Sequence, residues 1–322
     1  MNEAKRVLFI GSKTLGLSCI KEMYALAGDR LAGALTFDDT FDSRSALPEL
    51  IEFCTIKCIP LHIAGSRDES ERIILREMPD LCIVCGWYWL ISNHVLSSVS
   101  KGFLGVHNSL LPKYRGGSPL IWSILNGEKE VGFSMFSFTE GMDDGPIWFQ
   151  SSIELTLQDD VQSVLEKLES NLISEFRNSY LNILSGKLKP TPQSHSIATY
   201  CGQRQAIDGE INWKNPAIQV YNFIRAQTKP YPGAYTFYKD KKLTIWKAQP
   251  VEQTYYGIPG QVVRVLNDGI LIVCGNNQPL LITAVEYEGK QLSASELIRS
   301  ISVRLPYPSG AKQKKEMLPN NI

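Results

Sequence analysis

The sequence predicts an α/β protein with a largely parallel sheet, followed by a small β-barrel. Three observations carry that expectation. Short β-rich runs alternate with helical stretches over the first half of the chain. A Pro, Ser and Gly-rich segment, SGKLKPTPQSHSIATYCGQRQAIDGE (Ser185 to Glu210), interrupts the periodicity. Beyond it, strands recur at short spacing with turn residues between them.

The parallel part begins with RVLFIG (Arg6 to Gly11), LAGALTF (Leu31 to Phe37), CIPLH (Cys58 to His62) and LCIVCG (Leu81 to Gly86). FLGVH (Phe103 to His107), VGFSMFSF (Val131 to Phe138) and IWFQSSIEL (Ile147 to Leu155) continue it, and the amphipathic stretch Asp159 to Leu184 predicts a long closing helix. After one helix around Pro216 to Arg225, strands are expected at Ala234 to Tyr238, Lys242 to Ala248, Gly260 to Val265, Gly269 to Cys274 and Leu280 to Tyr287. These make a barrel of about 100 residues. The expected organisation is a first domain over 1–198, a second over 199–305 and a loose tail over 306–322.

Composition narrows the function. In 322 residues, Lys plus Arg and Asp plus Glu stand at 33 each, so no net field draws nucleic acid or an anionic membrane from afar. A small ligand is expected. The longest apolar run, Leu81 to Ile91, is too short to span a bilayer, and no signal-peptide core follows the first methionine, so a cytoplasmic protein is expected. The seven cysteines are then reduced thiols. Cys54 with Cys58 and Cys82 with Cys85 invite a metal reading. Strand alternation sends Cys82 and Cys85 to opposite faces, so buried packing is expected and no metal.

An open parallel sheet takes ligands beyond the carboxyl ends of its strands. The loops after Ile10, Phe37, Cys85 and His107 are therefore the candidates. The first, GSKTLG, carries neither a dinucleotide fingerprint nor a P-loop. His107 stands at the end of its strand, in GVHNSLLPKYRGGSP (Gly105 to Pro119). The acidic turn EGMDDGPI (Glu140 to Ile147) offers a carboxylate that could orient an imidazole, although Asp and Gly also suit a plain hairpin turn.

HNSLLPKYRGGSP followed by EGMDDGP resembles the 10-formyltetrahydrofolate-dependent formyltransferases, with their Asn-x-His-x-Ser-Leu-Leu-Pro segment and later Asp-x-Gly turn. DGEINW (Asp208 to Trp213), IRAQTKPYPGAYT (Ile224 to Thr236) and KLTIWKA (Lys242 to Ala248) extend the similarity into the OB-like C-terminal domain of methionyl-tRNA and sugar-nucleotide members, up to about Arg304. The resemblance implies a Rossmann-like catalytic domain and 10-formyltetrahydrofolate as formyl donor. It places His107 and Asp143 at the catalytic positions. It also makes Gly86, Trp87, Tyr88, Trp89, Leu90 and Ile91 the loop whose backbone receives the pterin.

In such chemistry a neutral amine attacks the formyl carbon. The site must stabilise an oxyanion and move a proton, which a histidine can do in either role, with an adjacent carboxylate fixing which nitrogen carries the proton. One departure stands out. The family asparagine two residues before the histidine is Gly105 here, and Asn108 is the nearest replacement donor if the strand ends or bends at His107.

The tRNA members carry a basic insertion after the second strand. Here TFDDTFDSRSALPEL (Thr36 to Leu50) sets Asp38, Asp39, Asp42 and Glu49 against Arg44, which would repel phosphates. The acceptor is therefore read as an amino sugar on a nucleotide, as in enzymes that formylate amino sugars for surface polysaccharides, with Lys113 and Arg115 meeting its diphosphate. No nucleic-acid or membrane partner is expected, and a homodimer is left open. A formyl-folate hydrolase, a methionyl-tRNA formyltransferase and a non-catalytic folate-binding relative stand as alternatives.

Overall fold

The computed structural model describes residues 4–306. The tail expected over 306–322 lies, from residue 307 on, outside the described residues. In chain order the first half holds β1 (Val7–Gly11), α1 (Lys13–Ala27), β2 (Leu31–Phe37), α2 (Leu47–Ile56), β3 (Leu61–Ala64), α3 (Arg67–Glu77), β4 (Leu81–Cys85), α4 (Asn93–Ser98) and β5 (Phe103–His107). There follow β6 (Arg115–Gly116), α5 (Pro119–Leu125), β7 (Glu130–Ser137), β8 (Ile147–Glu154), α6 (Val161–Leu184) and β9 (Tyr200–Cys201).

Seven strands form one sheet in the order β3-β2-β1-β4-β5-β7-β8. The first five run parallel, and β7 and β8 add an antiparallel edge. The chain builds outward from β1 through β2 to β3 and then returns to β4 on the other side of β1. The topological switch, where such sheets open a crevice, therefore lies at the carboxyl ends of β1 and β4.

Alternation divides the core. Val7 and Phe9 of β1, with Ile83 and Cys85 of β4 and Leu104 of β5, pack with Ile20 and Met23 of α1, Leu50 of α2, and Phe176 and Tyr180 of α6. Leu8 and Ile10, with Cys82, Val84 and Phe103, pack on the opposite face with Ile73 and Ile74 of α3 and Val95 of α4. Cys82 and Cys85 thus belong to opposite faces of one strand. Both faces being covered, β1 and β4 read as continuous apolar runs.

The third strand differs from the expectation of Cys58 to His62. Cys58 sits at a left-handed φ of 55°, the Ile59 N–H returns to the Cys54 carbonyl, and Pro60 has no N–H to give a ladder. The strand starts only at Leu61. The long helix starts at Val161, two residues later than expected.

The remaining strands are antiparallel. After α7 (Ala217–Arg225) come β10 (Ala234–Tyr238), β11 (Lys241–Pro250), β12 (Val262–Val265), β13 (Ile270–Val273), β14 (Pro279–Tyr287), β15 (Lys290–Ser293) and α8 (Ala294–Leu297). They pair in the order β10-β11-β14-β13-β12, with β15 also on β14. Their core holds Trp213, Ile245, Ile272 and Ile282, with Val220 and Ile224 of α7. β15 is a strand the sequence reading missed, since EGKQLS (Glu288 to Ser293) carries almost no apolar signal.

Contacts divide the chain into two units. One runs through Ser123 and takes in Lys129–Thr156 and Ser163–Gln203; the other comprises Ile124–Glu128, Leu157–Gln162 and the chain from Arg204. Among the described residues no helix is long and apolar enough to cross a membrane.

Candidate active site

At the switch point the backbones approach closely. A Cβ on Gly11 would fall 2.1 Å from the Cys85 carbonyl oxygen, and one on Gly86, at φ 74°, would fall 2.7 Å from that of Ser12. Ser12 stands at the N-cap of α1 without bonding its helix. Its hydroxyl instead donates to the Gly86 carbonyl at 2.6 Å, which ties the start of the 86–91 loop to β1.

That loop alternates. Trp87, Trp89 and Ile91 pack on the core beneath it, while Tyr88 and Leu90 are exposed. Phe37, at the end of β2, contacts all three aromatic rings, with centroids 5.1–5.3 Å away. With the side chains so anchored, the backbone is held while its own polar groups stay unused. Among the described residues the N–H and C=O groups of 87–91 bond no other protein group. The buried Trp87 indole N–H has no acceptor either. Fixed donors and acceptors beside flat apolar surfaces fit a planar heterocycle such as a pterin.

Beside this loop, Asp42 accepts a hydrogen bond from the Tyr88 hydroxyl at 2.5 Å and pairs with Arg44. Lys13 lies 3.5 Å from the same carboxylate and 4.1 Å from the Tyr88 ring centroid. Burial pushes the Asp42 carboxyl up, but hydrogen bonds from Arg44 and Tyr88 outweigh it and hold the group well below the usual carboxylate range. Burial, reinforced by the Arg44 charge, brings Lys13 down to about 8.

β5 ends at His107, and the chain bends at Asn108. The imidazole is nearly buried, at 8% exposure. Its Nε2 lies 2.8 Å from the Tyr114 carbonyl oxygen. A carbonyl only accepts, so Nε2 carries the proton, and neutral His107 keeps its lone pair on Nδ1. Nδ1 in turn lies 3.6 Å from Asp143 Oδ2. The sequence reading expected the carboxylate to fix the tautomer. In the structure the Tyr114 carbonyl does so, and Asp143 faces the basic nitrogen, where it would stabilise an added proton.

Both partners of the imidazole adopt backbone that non-glycine residues rarely take, Tyr114 at φ 59° and Asp143 at φ 49°. Each is held. The Tyr114 N–H donates to Thr199 Oγ1 at 2.9 Å, and β6 pairs with β9 immediately beyond. Asp143 Oδ2 accepts from the Gly116 N–H at 2.8 Å, while Gln193 Nε2 donates to the carbonyls of Asp143 and Gly145 at 2.9 and 2.7 Å.

Arg115 has a different job from the one expected of it. It is 1% exposed, and its guanidinium donates to Gln193 Oε1 at 2.7 Å, with longer contacts to His195 Nδ1 and the Tyr200 hydroxyl. The pairing of β6 with β9 turns this side chain inward onto Gln193, His195 and Tyr200, where the expected diphosphate contact has no exposed guanidinium to use. Lys113 is exposed.

Asn108 is partly buried and hydrogen-bonds no protein group among the described residues. At Gly105 the space of the expected asparagine is filled. A Cβ there would fall 2.1 Å from Phe138 Cε1, and Phe138 stacks with Phe103 and contacts Phe136. The sequence reading missed Ser12, Lys13, Phe138, Gln193 and Thr199. The last two lie in the stretch read as a boundary, whose lack of periodicity hides the fact that it packs on the site.

Comparison with known proteins identifies the family. Residues 64–176 match the Formyl transferase family, and residues 204–302 match Formyl transferase, C-terminal domain. The methionyl-tRNA formyltransferase of Caldanaerobacter subterraneus subsp. tengcongensis is 33% identical over 293 residues, covering 89% of this chain and 93% of that protein. WlaRD, a sugar 3N-formyl transferase solved in the presence of dTDP and 5-N-formyl-THF, superposes with a TM-score of 0.66 at 16% identity, over 90% of this chain and all of its own. HypX from Aquifex aeolicus superposes with a TM-score of 0.64 at 18% identity, over 91% of this chain; the chain spans about half of HypX, 47% of its length. The chain therefore belongs to the formyl transferase family of enzymes.

Proposed function

We propose that this enzyme transfers a formyl group from 10-formyltetrahydrofolate to the primary amine of a nucleotide-linked amino sugar. The observation that carries the chemistry is the two-sided hold on His107. With Nε2–H on the Tyr114 carbonyl, Nδ1 is the free base, and the Asp143 carboxylate 3.6 Å away balances the charge once Nδ1 takes the proton of the attacking amine. The donor supplies an activated formyl carbon. The loop from Gly86 to Ile91 would hold its pterin through the unpaired backbone groups of 87–91, and Asn108 is the candidate donor to the developing oxyanion. Lys113 is the candidate contact for the acceptor's diphosphate.

The sugar reading rests on the loop after β2. Asp38 is exposed there, Asp39 is buried, and Asp42 already engages both neighbouring cations, so the loop offers phosphates little attraction. WlaRD's superposition supports it. Methionyl-tRNA is the second reading, favoured by the 33% identity to the Caldanaerobacter enzyme over nearly the whole chain.

One experiment separates them. The protein is incubated with 10-formyltetrahydrofolate and, in parallel, a panel of nucleotide amino sugars, charged initiator tRNA, or no amine, and products are read by mass. The expected result is one added formyl group on a nucleotide amino sugar. Faster formylation of the tRNA overturns the sugar reading, and equal loss of formyl-folate without any amine makes the enzyme a hydrolase.

A further inference from the structure

The stretch from Gln193 to Cys201 supplies a partner to each of the two residues that flank the His107 ring, Asp143 and Tyr114. We propose that Gln193 and Thr199 are positioning residues for the formyl transfer, Gln193 acting through Asp143 and Thr199 through Tyr114. The proposal rests on His107 being the base.

The geometry is reciprocal. Thr199 takes part three times in the turn before β6. Its N–H donates to the Pro112 carbonyl at 3.2 Å, its carbonyl accepts from Arg115 N–H at 2.9 Å, and its hydroxyl accepts from Tyr114 N–H. These bonds aim the Tyr114 carbonyl at Nε2. On the other side Gln193, 7% exposed, gives both amide protons to the carbonyls of 143 and 145, which leaves its oxygen for Arg115. Arg115 is thereby the link. Its guanidinium grips Gln193 while its own backbone pairs with Thr199 and Tyr200.

The chemical consequence concerns one proton. With Tyr114 displaced, Nε2–H loses its acceptor and either nitrogen can carry the proton. With the 143–145 turn displaced, an imidazolium forming at Nδ1 loses its counter-charge. Either change leaves the substrate sites intact and slows proton transfer, so the loss falls on kcat rather than KM.

The test uses two near-isosteric substitutions in the full chain. Thr199→Val removes the acceptor of Tyr114 N–H. Gln193→Glu keeps an oxygen for Arg115 but removes the donors to the turn. In protein labelled with 15N-histidine, which has four histidines, the His107 resonance is assigned by its absence in His107→Ala. The expected result is a protected Nε2–H signal in the wild type. Its solvent exchange speeds by about tenfold in Thr199→Val and its line broadens in Gln193→Glu, with the melting temperature of Thr199→Val little changed. For whichever amine the mass experiment identifies, kcat falls by about a hundredfold in each variant with KM nearly constant.

Unchanged exchange and line shape in both variants overturn the proposal. Should Gln193→Glu fail to fold, Thr199→Val decides through exchange alone. A different result defeats the functional reading. If His107→Ala keeps wild-type turnover while the two variants still alter the resonance, the hold on the ring is real and His107 is not the base.

Discussion

The Nε2 of His107 lies 2.8 Å from the carbonyl oxygen of Tyr114. That contact decides which nitrogen is basic, and Asp143 faces the one left over. His107→Ala should therefore abolish formyl transfer. Asp143→Asn should lower kcat by about a hundred- to ten-thousandfold, the range of positioned acid–base catalysis. Steady-state rates with formyl-folate and the identified acceptor check both.

Asn108 is expected to supply the donor that Gly105 does not. Removing one such donor costs about a hundred- to thousandfold in kcat. Asn108→Ala should show that loss with an unchanged melting temperature, because no protein group among the described residues bonds the side chain. A rate near wild type would assign the donor to a backbone N–H.

Restoring an asparagine at 105 alone should fail. The added Cβ would fall 2.1 Å from Phe138 Cε1 in a packed aromatic row, and overpacking of this kind costs about 1–3 kcal/mol. Gly105→Ala should lower stability by that order in urea unfolding. Adding Phe138→Ala should recover part of it, so the two changes are not additive.

Arg115→Ala should destabilise by several kcal/mol at most and lower turnover through Gln193, since the donor amide and its turn lose their anchor. Arg115→Lys should not rescue it, because one ammonium cannot reproduce the planar fork that reaches Gln193, His195 and Tyr200. Were the sequence expectation of a diphosphate contact right instead, these changes would raise KM and leave stability alone.

Lys13 gives a pH dependence with a definite sign. Burial disfavours the charge and brings the Lys13 amine down to about 8 in the folded chain, from 10.5 for a free lysine side chain. Between those values the folded state binds fewer protons, so stability rises with pH through that window. Lys13→Met should flatten the rise, measured by urea midpoints across the window. Mild acylation near pH 8 should also modify Lys13 ahead of more basic lysines.

Much was legible in the sequence because it is local. The continuous apolar runs of β1 and β4, the end of β5 at His107 and the acidic turn bearing Asp143 all follow from residue order and strand period. Ordered motifs extended that reading to the family. Local pattern failed where a residue's partner is remote. Pro60 and a left-handed Cys58 delayed β3, and polar β15 forms only because β14 offers it an edge. Arg115, next to a turn and rich in donors, looked like a phosphate contact; its pairing with a strand 85 residues on turned it inward.

The sequence by itself determined the sheet, the antiparallel domain after it, and which titratable groups stand at strand ends, because periodicity and turn chemistry act over a few residues. Only the tertiary structure decided which imidazole nitrogen meets the Tyr114 carbonyl, what fills the space beside Gly105, and that Gln193 and Thr199 bond the two residues that flank His107. Those outcomes depend on hydrogen bonds and van der Waals contacts between residues 7 to 85 positions apart, most of them more than 30, and no local propensity specifies them.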